Sequence, residues 1–539
     1  MKWKILAKIK NKKPIERRQE IIEALFKNRG LKTKKQREEF LTPKNPYQLT
    51  PKEVGITTAQ LKKAIIRIKK AVKNKEEVVV YGDYDTDGVC ATAIMWETLY
   101  QLGAKVMPFI PKREEGYGLK IERINQMAEK GVSLIITVDQ GIVHSKQVAH
   151  ARRLGIDVII TDHHLSEKKT PQAEAIVHTT KLSGSGVAWF LAKEIGSKPD
   201  LDLVTIGTIT DVIPLVGPNR SLVKFGLREV RKTKRLGLLA LYDFAGLNKK
   251  NIGTYEIGFI IGPRLNAAGR MDDPMESLRL VCTQNENRAI GLAQKIDQKN
   301  RERQSLTNQT ILHARELWLK EDGQSSLIFI NHQSYEQGVI GLVAGKLKDE
   351  FYRPAIILAP RQNHWVASAR SIEEFNIVEA IRLCADLLES HGGHPLAAGF
   401  TIIPEKVEEM RKRLLSVAAQ QLDKEKLRQT LKIEAEIELK DLSFEFYHQI
   451  QKFAPFGMGN PQPIFATRKV KVLEARTVGS KGQHLKLRFT NFNAIGFNLG
   501  NFYTRLSPER LIDIAYSLLL DEWNNQKRLQ LKLKDIKIK

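Results

Sequence analysis

The spacing of apolar residues changes from block to block along the chain. From Thr58 to Val72, Leu61, Ile65, Ile68 and Val72 recur at helical spacing, with Lys62, Lys63, Lys69 and Lys70 between them. This predicts a surface helix with a solvated basic face. From residue 76, short β-branched runs alternate with helical stretches: EEVVVYG, ATAIMWETLYQLG, VSLIITV, HSKQVAHARRLG and IDVIIT. The strand runs are apolar throughout rather than alternating, which predicts strands covered on both faces, as in a parallel α/β sheet. DLVTIGTITDVIPL reads as one more such strand, in a domain ending near 230–280. Glu286 to Lys320 holds no proline and one glycine, Gly291. That predicts a single helix on the order of 50 Å long, a rigid connector. Residues 325–420 return to the α/β style (SSLIFINH, GVIGLVAGKL, RPAIILA, HWVASARS). Beyond a charged helical stretch at 405–430, alternation takes over. HLKLRF puts Leu485, Leu487 and Phe489 on one face and Lys486 and Arg488 on the other, and the tail RLQLKLKDIKIK alternates almost strictly. Several short strands in about 110 residues predict a small barrel or sandwich.

A length of 539 residues allows three or four domains. With 42% hydrophobic and 27% charged residues, a wholly disordered chain is excluded. Lys and Arg number 87 against 61 Asp and Glu, a net charge of +26. This favours a polyanionic partner, nucleic acid first. The first 40 residues alone carry 14 basic and 5 acidic side chains. Cys90, Cys282 and Cys384 stand too far apart for a metal knuckle or a disulfide framework, which suits a reducing compartment. The basic start MKWKILAKIKNKK lacks the apolar core of a secretory signal. No apolar run approaches the length of a membrane span. A soluble, cytoplasmic protein without membrane attachment is expected.

The chemistry gathers where the apolar runs end. VVVYG leads into Asp83, Asp85 and Asp87; LIITV into Asp139; DVIIT into Asp162, His163 and His164; VTIGTIT into Asp211. In an open parallel sheet the strand C-termini share one edge, where ligands bind. Carboxylates packed there repel and raise each other's pKa, and divalent cations are the natural compensation. Oxygen-rich ligands with some imidazole and no thiolate suit Mn²⁺ or Mg²⁺. The ligands suffice for two ions bridged by one carboxylate, an arrangement that activates water and clamps an in-line displacement at phosphorus. Gly88 and Gly141 would let the backbone turn sharply after the ligands. A calcium loop is excluded, because Ile94 stands where such a loop needs glutamate.

GDYDTDG, TVDQGI, TDHH and GTITDVIPL together resemble the N-terminal motifs of the DHH phosphoesterase superfamily, and SARS with HGGHPLAAGF resembles its DHHA1 substrate domain. GPRLNAAGRM and PFGMGNPQPIF narrow the resemblance to the RecJ family of single-stranded-DNA-specific exonucleases. The resemblance runs from about residue 50 onward. It implies a 5′-to-3′ exonuclease of DNA repair and recombination that releases 5′-mononucleotides, with two Mn²⁺ or Mg²⁺ ions. It also implies single-stranded DNA as partner, a helicase and a single-strand-binding protein as further partners, and a monomer. The fold implied is an α/β DHH domain (51–280) behind a basic segment (1–50). A connecting helix (281–322) then leads to a smaller α/β DHHA1 domain (323–425) and an oligonucleotide-binding β-barrel (426–539). Two other readings stay open: a DHH phosphodiesterase acting on short oligoribonucleotides or cyclic dinucleotides, and a catalytically silent DNA-binding scaffold.

By the resemblance, Asp85, Asp87, Asp139, His163 and Asp211 match the metal ligands, with Asp139 the bridging one. Asp83 either supports these ligands or adds to them. His164 would touch the scissile phosphate or help its leaving oxygen. Tyr81 stands where some relatives carry histidine, and Gln140 replaces the usual asparagine. His391, Gly392, Gly393 and His394 would let backbone and imidazole approach a phosphate or base. Arg370 and Ser371 suit a terminal phosphate, and Arg264, Asn266 and Arg270 could hold backbone phosphates or form an inter-domain salt-bridge set. Phe453, Phe456 and Phe465 could stack bases or fill the barrel core. The cysteines read as inert packing residues.

Overall fold

The computed structural model describes residues 1–10, 13–116, 118–166, 169–321, 323–523 and 526–538. Asn11 and Lys12 of the basic start and Lys539 of the alternating tail lie outside the described residues.

The first domain is built on a five-stranded, all-parallel sheet. Its order in space is Lys105–Phe109, Glu77–Tyr81, Val132–Val138, Asp157–Asp162 and Ala175–His178. The chain winds outward from Glu77–Tyr81 in one direction and then in the other, so the order reverses between that strand and Val132–Val138. Neighbouring side chains on each strand serve different cores, which is why the strands are apolar throughout. Val78, Val80, Leu134 and Ile136 face one apolar cluster, while Val79, Tyr81, Ile135 and Ile160 face another. The helix expected from Thr58 spans Thr58–Lys73, with Leu61 and Ile68 buried and its lysines at 62, 63, 69 and 70 exposed.

One element differs from expectation. VTIGTIT is not a strand; it lies in the helix Leu201–Thr210. Residues 201–208 of it are buried, so it shows no polar face, and a short apolar run alone does not separate a buried helix from a buried strand.

A single helix, Glu286–Glu321, of 36 residues and roughly 54 Å, leaves this domain. Ala289, Ala293 and Ile296 pack in the first core, and Ala314 and Trp318 in the next domain. That domain has a five-stranded mixed sheet in the order Leu388–His394, Ala397–Ile402, His364–Arg370, Ala355–Arg361, Ile328–Asn331.

The last domain is an eight-stranded mixed sheet with its own core. The basic segment 1–50 packs into this domain. Strand Lys2–Ala7 pairs in parallel with Thr430–Glu436, with Ile5 opposite Ile433. Helix Pro14–Asn28 buries Ile21, Leu25 and Phe26 in the same core as Phe453 and Phe465. Arg17 donates to Asp441 at 2.9 Å and Arg29 to Glu434 at 2.9 Å. Here the basic residues lie on elements whose alternate or helically spaced apolar residues make the fold.

Candidate metal centre

The parallel sheet delivers the acidic residues to one edge. Gly82 to Asp85 leave strand Glu77–Tyr81, and Asp85 caps helix Thr86–Gln101, its Oδ1 accepting from the Gly88 amide at 3.0 Å. Asp87 lies in the first turn of that helix, near the positive end of its dipole. Asp139 follows Val132–Val138 directly with φ +62°, a sparsely populated conformation for a residue with a side chain. Its amide donates to the Thr161 carbonyl of the next strand at 3.0 Å. Gly141 adopts φ +120°, as a sharp turn requires, whereas Gly88 is helical. Gly88 is needed for space, because a Cβ there would stand 2.5 Å from the Asp83 carbonyl. Asp211 ends the helix Leu201–Thr210.

The side chains converge. Ligand atoms of Asp83, Asp85 and Asp139 lie within 4.8 Å of one another, as do those of Asp87, His163 and Asp211, and those of Asp139, His163 and His164. Asp139 and His163 each belong to two of these groups. His163 Nε2 is 3.1 Å from Asp139 Oδ1 and 3.6 Å from Asp211 Oδ2. Two glycines make room: a Cβ on Gly184 would sit 2.1 Å from Asp139 Oδ1, and one on Gly207 2.3 Å from Asp87 Oδ1.

Burial, and then repulsion from neighbouring carboxylates, pushes Asp87 up to about 6, Asp83 to about 8 and Asp211 to about 9. Asp139 rises well above the carboxylate range for the same reasons. Burial, followed by the neighbouring His164, lowers His163 to about 4, which leaves its imidazole neutral and able to ligate. Among the described residues, the buried oxygens Asp83 Oδ1, Asp87 Oδ2 and Asp211 Oδ2 accept no hydrogen bond. Crowded, unsatisfied hard oxygens with a neutral imidazole fit Mn²⁺ or Mg²⁺.

Asp162 holds the histidine pair from behind. It accepts from the amides of Ile142, His163 and His164 and from His164 Nδ1 at 2.8 Å. Burial pushes its pKa up, but these bonds prevail and hold it at about 2. Burial likewise pulls His164 down, yet its bond to Asp162 and the charge there keep it above the usual value. Gln140, in the place of asparagine, donates from Nε2 to the Gly82 carbonyl at 2.7 Å and so ties two ligand loops together. Tyr81 packs among Phe109, Leu119 and Ile124, its hydroxyl donating to Gly118, and so serves the core.

The remaining candidates divide. Arg270 donates to the Gly338 carbonyl, and its pKa falls to about 9 through burial and then through Arg113, Arg303 and Arg370. Arg113, which the sequence did not single out, lies over the Tyr84 ring at 4.7 Å. Its only sequence signal was a basic loop after a strand end. Arg113 and Arg270 line a cavity of about 460 Å³ between the first two domains. Asn266 Oδ1 accepts from the Thr86 amide at 2.9 Å, beside Asp85 and Asp87. Arg264 turns instead to Asp297 of the connector helix at 2.9 Å, and the Ser371 hydroxyl donates inward to the Phe375 carbonyl at 2.7 Å. Neither is directed at this cavity by those bonds. Arg370 donates to Ser368 and to the Ala369 carbonyl. His391, Gly392, Gly393 and His394 form an exposed edge strand paired with Ala397–Phe400. Phe453 and Phe465 are core residues, and Phe456 is half-buried. PFGMGN is a fastener: the Leu215 amide donates to the Met458 carbonyl at 2.8 Å, four residues after Asp211. Cys90 and Cys384 are buried, and burial raises all three thiols.

Three family models match the chain: the DHH family, N-terminal domain, over residues 77–208; the DHHA1 domain over 323–420; and the RecJ OB domain over 433–535. The single-stranded-DNA-specific exonuclease RecJ of Bacillus subtilis is 36% identical over 534 residues, covering 96% of this chain and 67% of that protein. The RecJ of Escherichia coli is 30% identical over 565 residues, covering 96% of this chain and 95% of that protein. The chain belongs to the RecJ family of single-stranded-DNA-specific exonucleases. The crystal structure of RecJ from Thermus thermophilus in complex with Mn²⁺ has a TM-score of 0.83 and 29% identity, over 99% of this chain and 79% of that one. Membership in the RecJ family sets aside the small-substrate phosphodiesterase and the silent scaffold. It also identifies the eight-stranded domain as the oligonucleotide-binding domain. Among the described residues of this RecJ-family chain, no helix is long and apolar enough to cross a membrane.

Proposed function

We propose that this chain degrades single-stranded DNA from its 5′ end, hydrolysing phosphodiester bonds and releasing 5′-mononucleotides in DNA repair and recombination. The observation that carries this reading is the convergence of Asp83, Asp85, Asp87, Asp139, His163 and Asp211, from separate segments, where the strand order reverses. These residues would hold two Mn²⁺ or Mg²⁺ ions, with Asp139 shared. Bound there, the ions supply an activated water and charge neutralisation at phosphorus. His164, its Nδ1 fixed by Asp162, keeps a proton for the leaving oxygen. Arg113 and Arg370 repel Arg270 unless an anion joins them, which suits the terminal phosphate. His391–His394 close over the terminal nucleotide.

The reading assigns hydrolysis to 51–280, terminal-nucleotide contacts to 323–425 and the trailing strand to 426–539. It takes the enzyme to be a cytoplasmic monomer working with a helicase and a single-strand-binding protein. The test is release of nucleotide from strands labelled at the 5′ or the 3′ end, with and without Mn²⁺. Asp139→Ala should lower turnover by roughly 10²–10³-fold or more while DNA binding remains measurable. Normal turnover by that variant would refute the assignment.

A further inference from the structure

The segment from Thr254 to Gly262 links the oligonucleotide-binding domain to the metal-ligand loop. At one end Thr254 Oγ1 donates to the Phe456 carbonyl at 2.8 Å. At the other, the Gly262 carbonyl accepts from Thr86 Oγ1 at 3.1 Å, between Asp85 and Asp87. Ile257 and Ile261 are fully buried, and a Cβ on Gly262 would meet Thr210 Cγ2 at 2.3 Å, next to Asp211. Residues Ile257–Ile261 make a π-helical turn, a winding frequent at functional sites. The segment spans roughly 12 Å at helical rise. The segment thus bridges the barrel loop and the metal-ligand loop.

Its outer face carries two aromatic rings that the core does not use. Tyr255 is 59% and Phe259 70% exposed, and their rings stack with centroids 5.0 Å apart. Lys249 and Lys250, just before them, are exposed, and the carboxylate between the rings in sequence, Glu256, is occupied by the Gly253 amide at 2.8 Å. Val212, beside Asp211, and Met458, on the barrel loop, are also exposed along this seam. Flat, exposed π-faces with lysines nearby in the chain are the chemistry that receives unpaired bases.

We infer that Tyr255 and Phe259 form a stacking site for a base of the single strand that trails the scissile phosphate. The inference rests on the exonuclease reading above. A paired base is already stacked within its duplex, so the site favours single strands.

The test holds an uncut strand on the full-length Asp139→Ala protein, or on chelator-treated wild type should that variant fold poorly. 2-Aminopurine is placed at successive positions behind the 5′ end. Quenching should appear at one or two positions and vanish on Tyr255→Ala/Phe259→Ala. Kd should rise about tenfold, or ~1.4 kcal/mol. Phe259→Trp alone should retain both quenching and affinity, and an abasic residue at the quenched position should erase the difference between wild type and the double variant. Unchanged quenching and Kd in the double variant would overturn the site. Self-association lost in that variant with DNA binding unchanged would give the rings to a second copy instead. If wild type releases nucleotides normally, such failures remove only the stacking site; if it does not, the exonuclease reading itself fails.

Discussion

Arg220 offers a direct test of how the oligonucleotide-binding domain is fastened to the catalytic one. Its side chain is 1% exposed, and it forms no ion pair among the described residues. It donates to the carbonyls of Phe40 at 2.6 Å, Ala454 at 2.8 Å and Pro455 at 3.4 Å, and lies 3.7 Å from the Phe40 ring centroid. Burial lowers its pKa to about 10. One guanidinium thus joins the N-terminal segment, the barrel loop and the catalytic domain. Arg220→Met keeps the apolar stem and removes the donors. Each buried carbonyl left unpaired costs roughly 1–3 kcal/mol, and the lost cation–π contact about 2. Release of a buried, unpaired charge returns part of this. A net loss of about 3 kcal/mol corresponds to roughly a hundredfold more frequent local opening. Amide exchange reads this directly at Leu215, bonded to Met458, and at Gly457 and Asn460, bonded to each other. Amides inside strand Leu511–Trp523 serve as the internal reference. A single melting temperature would not isolate the seam in a multidomain chain. Exchange at these three amides within about threefold of wild type would refute the fastening.

Asp162→Asn should reduce Mn²⁺ affinity or activity by roughly 10–100-fold, since Asp162 orients His164 and both histidine amides. An unaltered Mn²⁺ titration of nucleotide release would contradict that. Without cation, Asp87, Asp83 and Asp211 titrate near 6, 8 and 9, above their unfolded values. Their raised values stabilise the fold at low pH, and this contribution is lost as pH climbs through that range. Loading Mn²⁺ at pH 7 should then expel at least about two protons, those on Asp83 and Asp211, with any held by Asp139 in addition, read by calorimetry in buffers of different ionisation heat; none expelled would sink the argument. DNA affinity should fall steeply with salt, and a flat plot of log K against log salt would exclude a phosphate-tracking cationic surface.

The convergence of the strand-end carboxylates and histidines was legible because a parallel sheet fixes where its loops gather, whatever their sequence separation. Asp83, Asp85, Asp87, Asp139 and His163 could be placed from the apolar runs before them. Asp211 was found through the wrong element, since a fully buried helix has no polar face to announce its period. Arg264 and Ser371 show the opposite limit: residue type suggests a phosphate contact, but the bonds they make to Asp297 and Phe375 exist only in three dimensions. Arg113 was hidden in an ordinary basic loop. The role of Phe453 depended on Phe26 and Phe40, more than 400 residues away, whose rings pack against it at 4.7 and 5.8 Å.

The pairing of Ile5 with Ile433 has an implication for synthesis and for dissection. A ribosome delivers helix Pro14–Asn28 long before the sheet that shelters Ile21, Leu25 and Phe26. During most of translation that greasy stripe waits uncovered, a natural point of chaperone demand. By the same logic, a fragment trimmed of its final domain but not of its first helix should aggregate, whereas removing residues 1–41 as well takes away the N-terminal side chains of that core, Phe40 included.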